Sequence, residues 1–166
     1  MRTRRWLSVG VAALLGGLIL APAAAANAAD SWGKAANAGN GQCIDVKTED
    51  GTGNGARVQE WNCNGGDEQL WVRASSADGT VNLVNKWTGK CLQPIGGSPV
   101  IGATMEVWDC NGSRAQQWTF TGSGPRMIHN LNSGLCLRVP TTDRINGRWL
   151  DQQPCDPGNT LETWWF

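Results

Sequence analysis

The strongest constraint on this chain is a unit written three times. Glu60-Trp61-Asn62-Cys63-Asn64, closed by Gln69-Leu70-Trp71, returns as Val107-Trp108-Asp109-Cys110-Asn111 with Gln116-Gln117-Trp118. An eroded third copy runs Gln152-Gln153-Pro154-Cys155-Asp156 and ends in Glu162-Thr163-Trp164. The first cysteine of each unit (Cys43, Cys91, Cys136) recurs after 48 and then 45 residues. The second (Cys63, Cys110, Cys155) recurs after 47 and then 45. Asn37, Asn85 and Asn130 stand six residues before the first cysteine, and Gly41, Gly89 and Gly134 two before it. Gly55, Gly102 and Gly147 stand eight before the second cysteine, and the apolar Val58, Met105 and Leu150 five before it.

Such a repeat dictates an architecture. A unit of this length cannot bury its own apolar face, so three must share one core. No helical apolar period of useful length follows the first thirty residues, and glycine-containing turn pairs are frequent, which predicts short strands joined by tight turns. Each unit reads as four strands, giving about twelve in all. The fold class is therefore all-β, a β-trefoil whose repeats span about 31–76, 79–122 and 125–166. Its core comes from like positions: Ile44, Leu92 and Leu137; Val58, Met105 and Leu150; Trp71, Trp118 and Trp164. Pairing the cysteines within units (Cys43–Cys63, Cys91–Cys110, Cys136–Cys155) is the connectivity that treats the three alike. Each such bridge contributes about 3 kcal/mol in the chain-entropy account.

Residues 1–28 read as a secretory signal peptide, outside the folded domain of 30–166. Arg2, Arg4 and Arg5 precede an apolar run of about 16 residues and then small residues offering cleavage after Ala26 or Ala28. The run is short for a membrane span, which needs about 20. A secreted, extracellular protein with all six cysteines paired is expected, with no membrane association once the signal is cleaved. The remainder carries all 14 acidic and 11 of the 14 basic residues, a net charge near −3, which argues against a nucleic-acid partner. His129, the only histidine, has no histidine partner, and no metal or cofactor is expected.

Cys-Ile-Asp-Val, Val-Gln-Glu-Trp-Asn-Cys-Asn-Gly and Gln-Leu-Trp, repeated in phase, resemble the ricin B-chain type β-trefoil lectins, including family 13 carbohydrate-binding modules. The third Gln-x-Trp departs from the pattern as Glu162-Thr163-Trp164. The resemblance implies carbohydrate binding without catalysis, through up to one pocket per repeat. In the first repeat it marks Asp45, Trp61, Asn64 and Gln69. The chemistry fits these types. An indole stacks on the C–H face of a pyranose, a carboxylate accepts charge-assisted bonds from adjacent hydroxyls, and an amide both donates and accepts. Gln69 is expected to steady Asp45 rather than touch sugar.

The second repeat keeps Trp108, Asn111 and Gln116 but has Gln93 for the acid, which predicts a weaker site. The third has Arg138, Gln153, Asp156 and Glu162, read as a structural site in which Arg138 pairs with Glu162 or Asp156. The expected function is a secreted lectin for a galactose-like or xylan-type glycan, with its main site in the first repeat. The alternatives are a protein-binding trefoil such as a protease inhibitor, or a glycoside hydrolase using a carboxylate pair such as Asp45 and Glu60. Trp87, in a turn, is a further candidate for an exposed contact.

Overall fold

The computed structural model describes residues 31–76 and 78–166; the expected signal segment lies outside them. The first repeat contributes β1 (Gly33–Lys34), β2 (Ala36–Asn37), β3 (Cys43–Val46), β4 (Ala56–Trp61) and β5 (Leu70–Ser75). The second contributes β6 (Val81–Asn85), β7 (Cys91–Pro94), β8 (Met105–Trp108) and β9 (Gln117–Thr121). The third contributes β10 (Arg126–Asn130), β11 (Cys136–Arg138), β12 (Arg148–Trp149), β13 (Asp151–Gln153) and β14 (Thr163–Trp165). The fourteen segments reduce to the expected twelve strands. Single residues, Ala35 and Leu150, interrupt what are otherwise one strand each, β1–β2 and β12–β13.

Six of these strands close a barrel. β5 pairs with β6, β6 with β9, β9 with β10, β10 with β14, β14 with β2, and β1 returns to β5. The three tryptophans hold equivalent places in this ring: Trp71 lies between Gly33 and Asn85, Trp118 between Val81 and Asn130, and Trp164 between Arg126 and Asn37. All three are buried, and each indole Nε1 donates to a backbone carbonyl of its own repeat, on Ile44, Leu92 or Leu137, at 3.0–3.1 Å. A buried indole N–H left unpaired would be costly, so the ring and its partner carbonyl are required together, three times.

The recurring asparagines do a different job. Each is buried at a hairpin, its Oδ1 accepting turn N–H groups while its Nδ2 reaches back to the 3-10 turn of the preceding repeat. Asn37 meets Leu161, Asn85 meets Glu68 and Asn130 meets Ala115, at 2.8–2.9 Å. Each repeat boundary is thus tied by the side-chain amide of one buried asparagine, with a second carbonyl (Thr163, Leu70) within reach of Asn37 and Asn85, which explains a buried Asn at a fixed phase.

The other strands form three hairpins, β3–β4, β7–β8 and β11–β13, that cap one end of the barrel. They also pair with each other around the threefold axis: β4 with β8, β12 with β4, and Thr104 with Asp151. Gly55, Gly102 and Gly147 make these joints. Each has a positive φ between 83 and 90° and donates its N–H to the next hairpin, on Val107, Gln152 and Glu60 respectively. A side chain at that φ would be strained, hence glycine at this phase. Three disulfides, Cys43–Cys63, Cys91–Cys110 and Cys136–Cys155, close the hairpins as expected from the repeat, and no cysteine is free. Val58, Met105 and Leu150 project into the shared core with Ile44, Leu92 and Leu137. Trp87 is half-buried against this core rather than free in its turn.

Candidate functional site

Side chains alternate across a strand, so the hairpin residues that do not enter the core face outward. In the first repeat these are Asp45 on β3 and Gln59 and Trp61 on β4; in the register Asp45 stands opposite Gln59. Asp45 is only 4% exposed, and each of its carboxylate oxygens accepts one amide hydrogen, which leaves further acceptor capacity. Gln59 Nε2 donates to Oδ1 at 2.8 Å and Gln69 Nε2 to Oδ2 at 2.9 Å. Gln69 is itself fixed: its Oε1 accepts the Asn64 N–H and its Nε2 also reaches the Asn62 carbonyl. The 3-10 turn Asp67–Gln69 thereby ties the second cysteine's loop to the floor of the site.

Asp45, Thr48, Glu49, Gln59, Trp61, Asn64 and Glu68 line a depression of about 150 Å³. Asn64 sits on its rim with its Oδ1 accepting from Gly66 and its Nδ2 donating to Glu68. Burial pushes the Asp45 carboxyl above its ordinary value of 3.8. The Gln59 and Gln69 bonds pull it back, and the Glu68 and Glu49 charges add to the rise. The pocket is therefore acidic, with three carboxylates and no cation in its lining.

The second repeat repeats the geometry with one exchange. Gln93 takes the place of Asp45, but the residue opposite it is Glu106, where the first repeat has Gln59. Gln93 Nε2 donates to Glu106 Oε1 at 2.8 Å, Gly96 N–H donates to the same oxygen at 2.8 Å, and Gln116 Nε2 donates to Gln93 Oε1 at 2.9 Å. The carboxylate is not lost, as the sequence suggested; it has crossed the rung. The reason it escaped a linear reading is that the pair is defined by register, not by neighbouring positions.

The second pocket is also roomier, about 410 Å³, lined by Gln93, Gly96, Gly97, Trp108, Asn111, Ser113, Arg114, Ala115 and Asn132. Gly97 and Ala115 stand where the first repeat has Glu49 and Glu68, which accounts for the extra room. Trp108 is 38% exposed. Asn111 Oδ1 accepts from Ser113 N–H, and Gln116 Oε1 accepts the Asn111 N–H, matching Gln69 and Asn64.

In the third repeat the same rung is an ion pair. Arg138 stands opposite Asp151, with Nε to Oδ1 at 2.9 Å and Nη2 to Oδ2 at 2.7 Å. The expected partners, Glu162 and Asp156, are otherwise placed. Glu162 accepts the Asp156 N–H and the Asn159 amide, taking over the loop-tying role of Gln69 and Gln116. Gln153 replaces the outward indole and donates to Asp151. A two-point Arg–carboxylate contact uses up both groups, so this rung offers a hydroxyl little. The residues missed in sequence were Gln59, Glu106 and Asp151. They share a phase, four before the second cysteine, and are polar in all three repeats, which was the available signal.

Two other arrangements differ from their sequence reading. Asp45 and Glu60 do not form a carboxylate pair: Glu60 stands opposite Ile44, on the other face of the hairpin, and is 0% exposed. His129 lies against the Cys136–Cys155 bridge, and the three could surround an ion, but both sulfurs are bonded to each other. Burial lowers the His129 pKa from its ordinary value, opposed by the Glu162 charge.

Residues 31–164 match the sequence profile of the ricin-type beta-trefoil lectin domain. The chain belongs to that family. Among solved structures, the lectin domain is similar to ThreeFoil, a designed threefold-symmetric protein, at 27% identity and a TM-score of 0.75, over 80% of this chain and 95% of that one. It is also similar to 1,3Gal43A, an exo-β-1,3-galactanase from Clostridium thermocellum, at 26% identity and a TM-score of 0.74. The match covers 81% of this chain but 29% of that enzyme. The Macrolepiota procera ricin B-like lectin, solved with lactose, shares the fold at 17% identity and a TM-score of 0.69, over 82% of this chain and 94% of that one. No curated protein sequence matches the chain. No helix among the described residues is long and apolar enough to cross a membrane.

Proposed function

We propose that this lectin domain is a secreted, non-catalytic binder of galactose-like or xylan-type glycans, with working pockets over the first and second repeats. The observation that carries the reading is the outward rung. In both repeats a carboxylate and a carboxamide are bonded across adjacent strands beside a tryptophan, Asp45–Gln59 beside Trp61 and Gln93–Glu106 beside Trp108. The third repeat, which has no such tryptophan, closes the rung with an ion pair.

Each pocket offers what a pyranose demands. The indole takes the C–H face, and the amide–acid pair presents a fixed donor and acceptor to neighbouring hydroxyls. The rung is pre-ordered by Gln69 or Gln116, so little side-chain entropy is lost on binding. The galactanase and the lactose-bound lectin among the structural neighbours support the galactose side of the proposal. The first pocket is small and acidic, the second wider and less negative, so the two should differ in preference. Single shallow sites of this kind bind weakly, on the order of 4 kcal/mol for millimolar affinity; two on one chain give avidity toward a polymer.

The test is a glycan array followed by calorimetric titration of Asp45→Ala, Glu106→Ala and the double variant. Partial loss in each single variant and full loss in the double is the expected result. Undiminished binding in the double variant would refute the assignment.

A further inference from the structure

One exposed aromatic beside the first pocket is not required by the fold. Trp149, on β12, belongs to the third repeat, but β12 pairs with β4 of the first, and Trp149 stands opposite Gln59. Across a rung, side chains lie on the same face. Trp149 is thus on the outward face with Gln59 and Trp61, on the neighbouring strand at the rung of Gln59, which itself lines the pocket. The strand leading to it is packed against the pocket wall. A Cβ placed on Gly147 would lie 3.7 Å from the Trp61 ring and 3.8 Å from Gln59 Oε1.

The Trp149 ring is held in place. The Arg57 guanidinium lies over it, 4.7 Å from the centroid, and Arg57 is in turn fixed by Asp50 through Nε–Oδ2 and Nη2–Oδ1 bonds of 2.6 and 2.8 Å. This bond holds the Asp50 carboxyl at about 2, so the brace stays charged through neutral and mildly acid pH. Despite the brace the residue remains 43% exposed. An indole fixed on one side and open on the other loses little freedom when a ring settles on it. Its threefold equivalents, six residues before the second cysteine, are Arg57 and Thr104. An aromatic at this place occurs only beside the first pocket, so neither core nor symmetry calls for it.

Trp149 and Trp61 are diagonal neighbours, two residues apart along the strand direction and one strand across, about 7–8 Å, a separation that a glycan of two or more rings can bridge. We propose that Trp149 is a second stacking position, and that the first-repeat site takes a glycan of two or more units rather than one terminal sugar. The proposal rests on the carbohydrate reading of the Asp45 pocket.

The test uses a Trp108→Ala background, which removes the second-repeat contribution, with and without Trp149→Ala. Each protein is titrated with xylose, xylotriose, galactose and β-1,3-galactotriose, and folding is checked by near-ultraviolet circular dichroism. The expected result is a trisaccharide that binds more tightly than its monosaccharide. Trp149→Ala should raise the trisaccharide Kd about tenfold and leave the monosaccharide Kd unchanged, and Trp149→Phe should recover most of the loss. Equal trisaccharide affinity with and without Trp149, or equal weakening of both sugar lengths, overturns the subsite while leaving the pocket standing. Absence of binding to all four sugars, or binding that survives Asp45→Ala in the same background, overturns the pocket and the subsite together.

Discussion

Glu60 offers the most quantitative test of how the repeats were specialised. It is fully buried, its Oε2 accepts from Asn40 Nδ2, and its Oε1 is the one buried side-chain polar atom among the described residues with no partner. Its third-repeat equivalent, Gln152, shows what the place wants. Gln152 Oε1 accepts from Ser133, the counterpart of Asn40, while its Nε2 donates to the Ser98 and Val100 carbonyls at 2.9 Å. In the first repeat the same amide would point toward the 141–147 loop, whose Gly147 already donates to the Glu60 carbonyl. Glu60→Gln therefore keeps the shape, removes a buried charge and supplies a donor. An unsatisfied buried polar atom costs about 1–3 kcal/mol, more when charged, so a gain of about 2 kcal/mol is expected at pH 7. For a domain of this size that is a Tm rise of roughly 6 °C. The pH dependence fixes the cause. Burial raises the Glu60 pKa above 4.5, opposed by the Asn40 bond and the Arg148 charge. A raised carboxyl destabilises the fold only where it must ionise, so the wild-type penalty appears as pH climbs above the unfolded value. The advantage of Glu60→Gln should be largest at neutral pH and should shrink to little at pH 4. Thermal melts across pH 4 to 8 measure it. A variant less stable than wild type at pH 7, or one with a pH-independent difference, would refute the argument.

Other outcomes follow from the same geometry. Because burial raises the Asp45 pKa, first-site affinity, isolated in Trp108→Ala, should begin to fall at a higher pH on acidification than an ordinary aspartate would give; affinity constant down to pH 4 contradicts this. Arg138→Gln with Gln153→Trp rebuilds in the third repeat the rung and indole of the second, with Asp151 as the acid. Calorimetric stoichiometry should rise by one site per chain, and an unchanged count would show that more than the rung is needed. Replacing Cys43 and Cys63 together with alanine should cost about 3 kcal/mol in denaturant unfolding; a loss under 1 kcal/mol would mean the hairpin is held by its ladder alone.

Most of the fold was legible because its requirements recur. A tryptophan that must both fill the barrel and satisfy its indole, an asparagine that ties a turn to the preceding repeat, and a glycine at positive φ leave the same letter at the same phase three times. The candidate site was legible only in part, because its outward rung differs between repeats. Trp61 and Trp108 were visible as an indole near a cysteine, and Asp45 as an acid on its strand. Glu106 was hidden since it places the carboxylate of the rung on the opposite strand from Asp45. Arg138 was assigned the wrong acid for the same reason, its true partner Asp151 being a matter of register. The difference in pocket size lies in Glu49 and Glu68 against Gly97 and Ala115, positions that look like ordinary loop variation. Trp149 could not be placed at all without the pairing of β12 with β4, since its pocket belongs to another repeat.

The central claim is that the first and second rungs are the ligand sites. A nitrogen–proton correlation spectrum, following the tryptophan indole resonances during titration with lactose, β-1,3-galactobiose and xylotriose, tests it most directly. The account predicts that with at least one of these sugars the Trp61 and Trp108 indoles shift, while those of Trp71, Trp118 and Trp164, each bonded to a backbone carbonyl inside the barrel, stay in place. Titration of all three sugars without movement of Trp61 or Trp108 would contradict it.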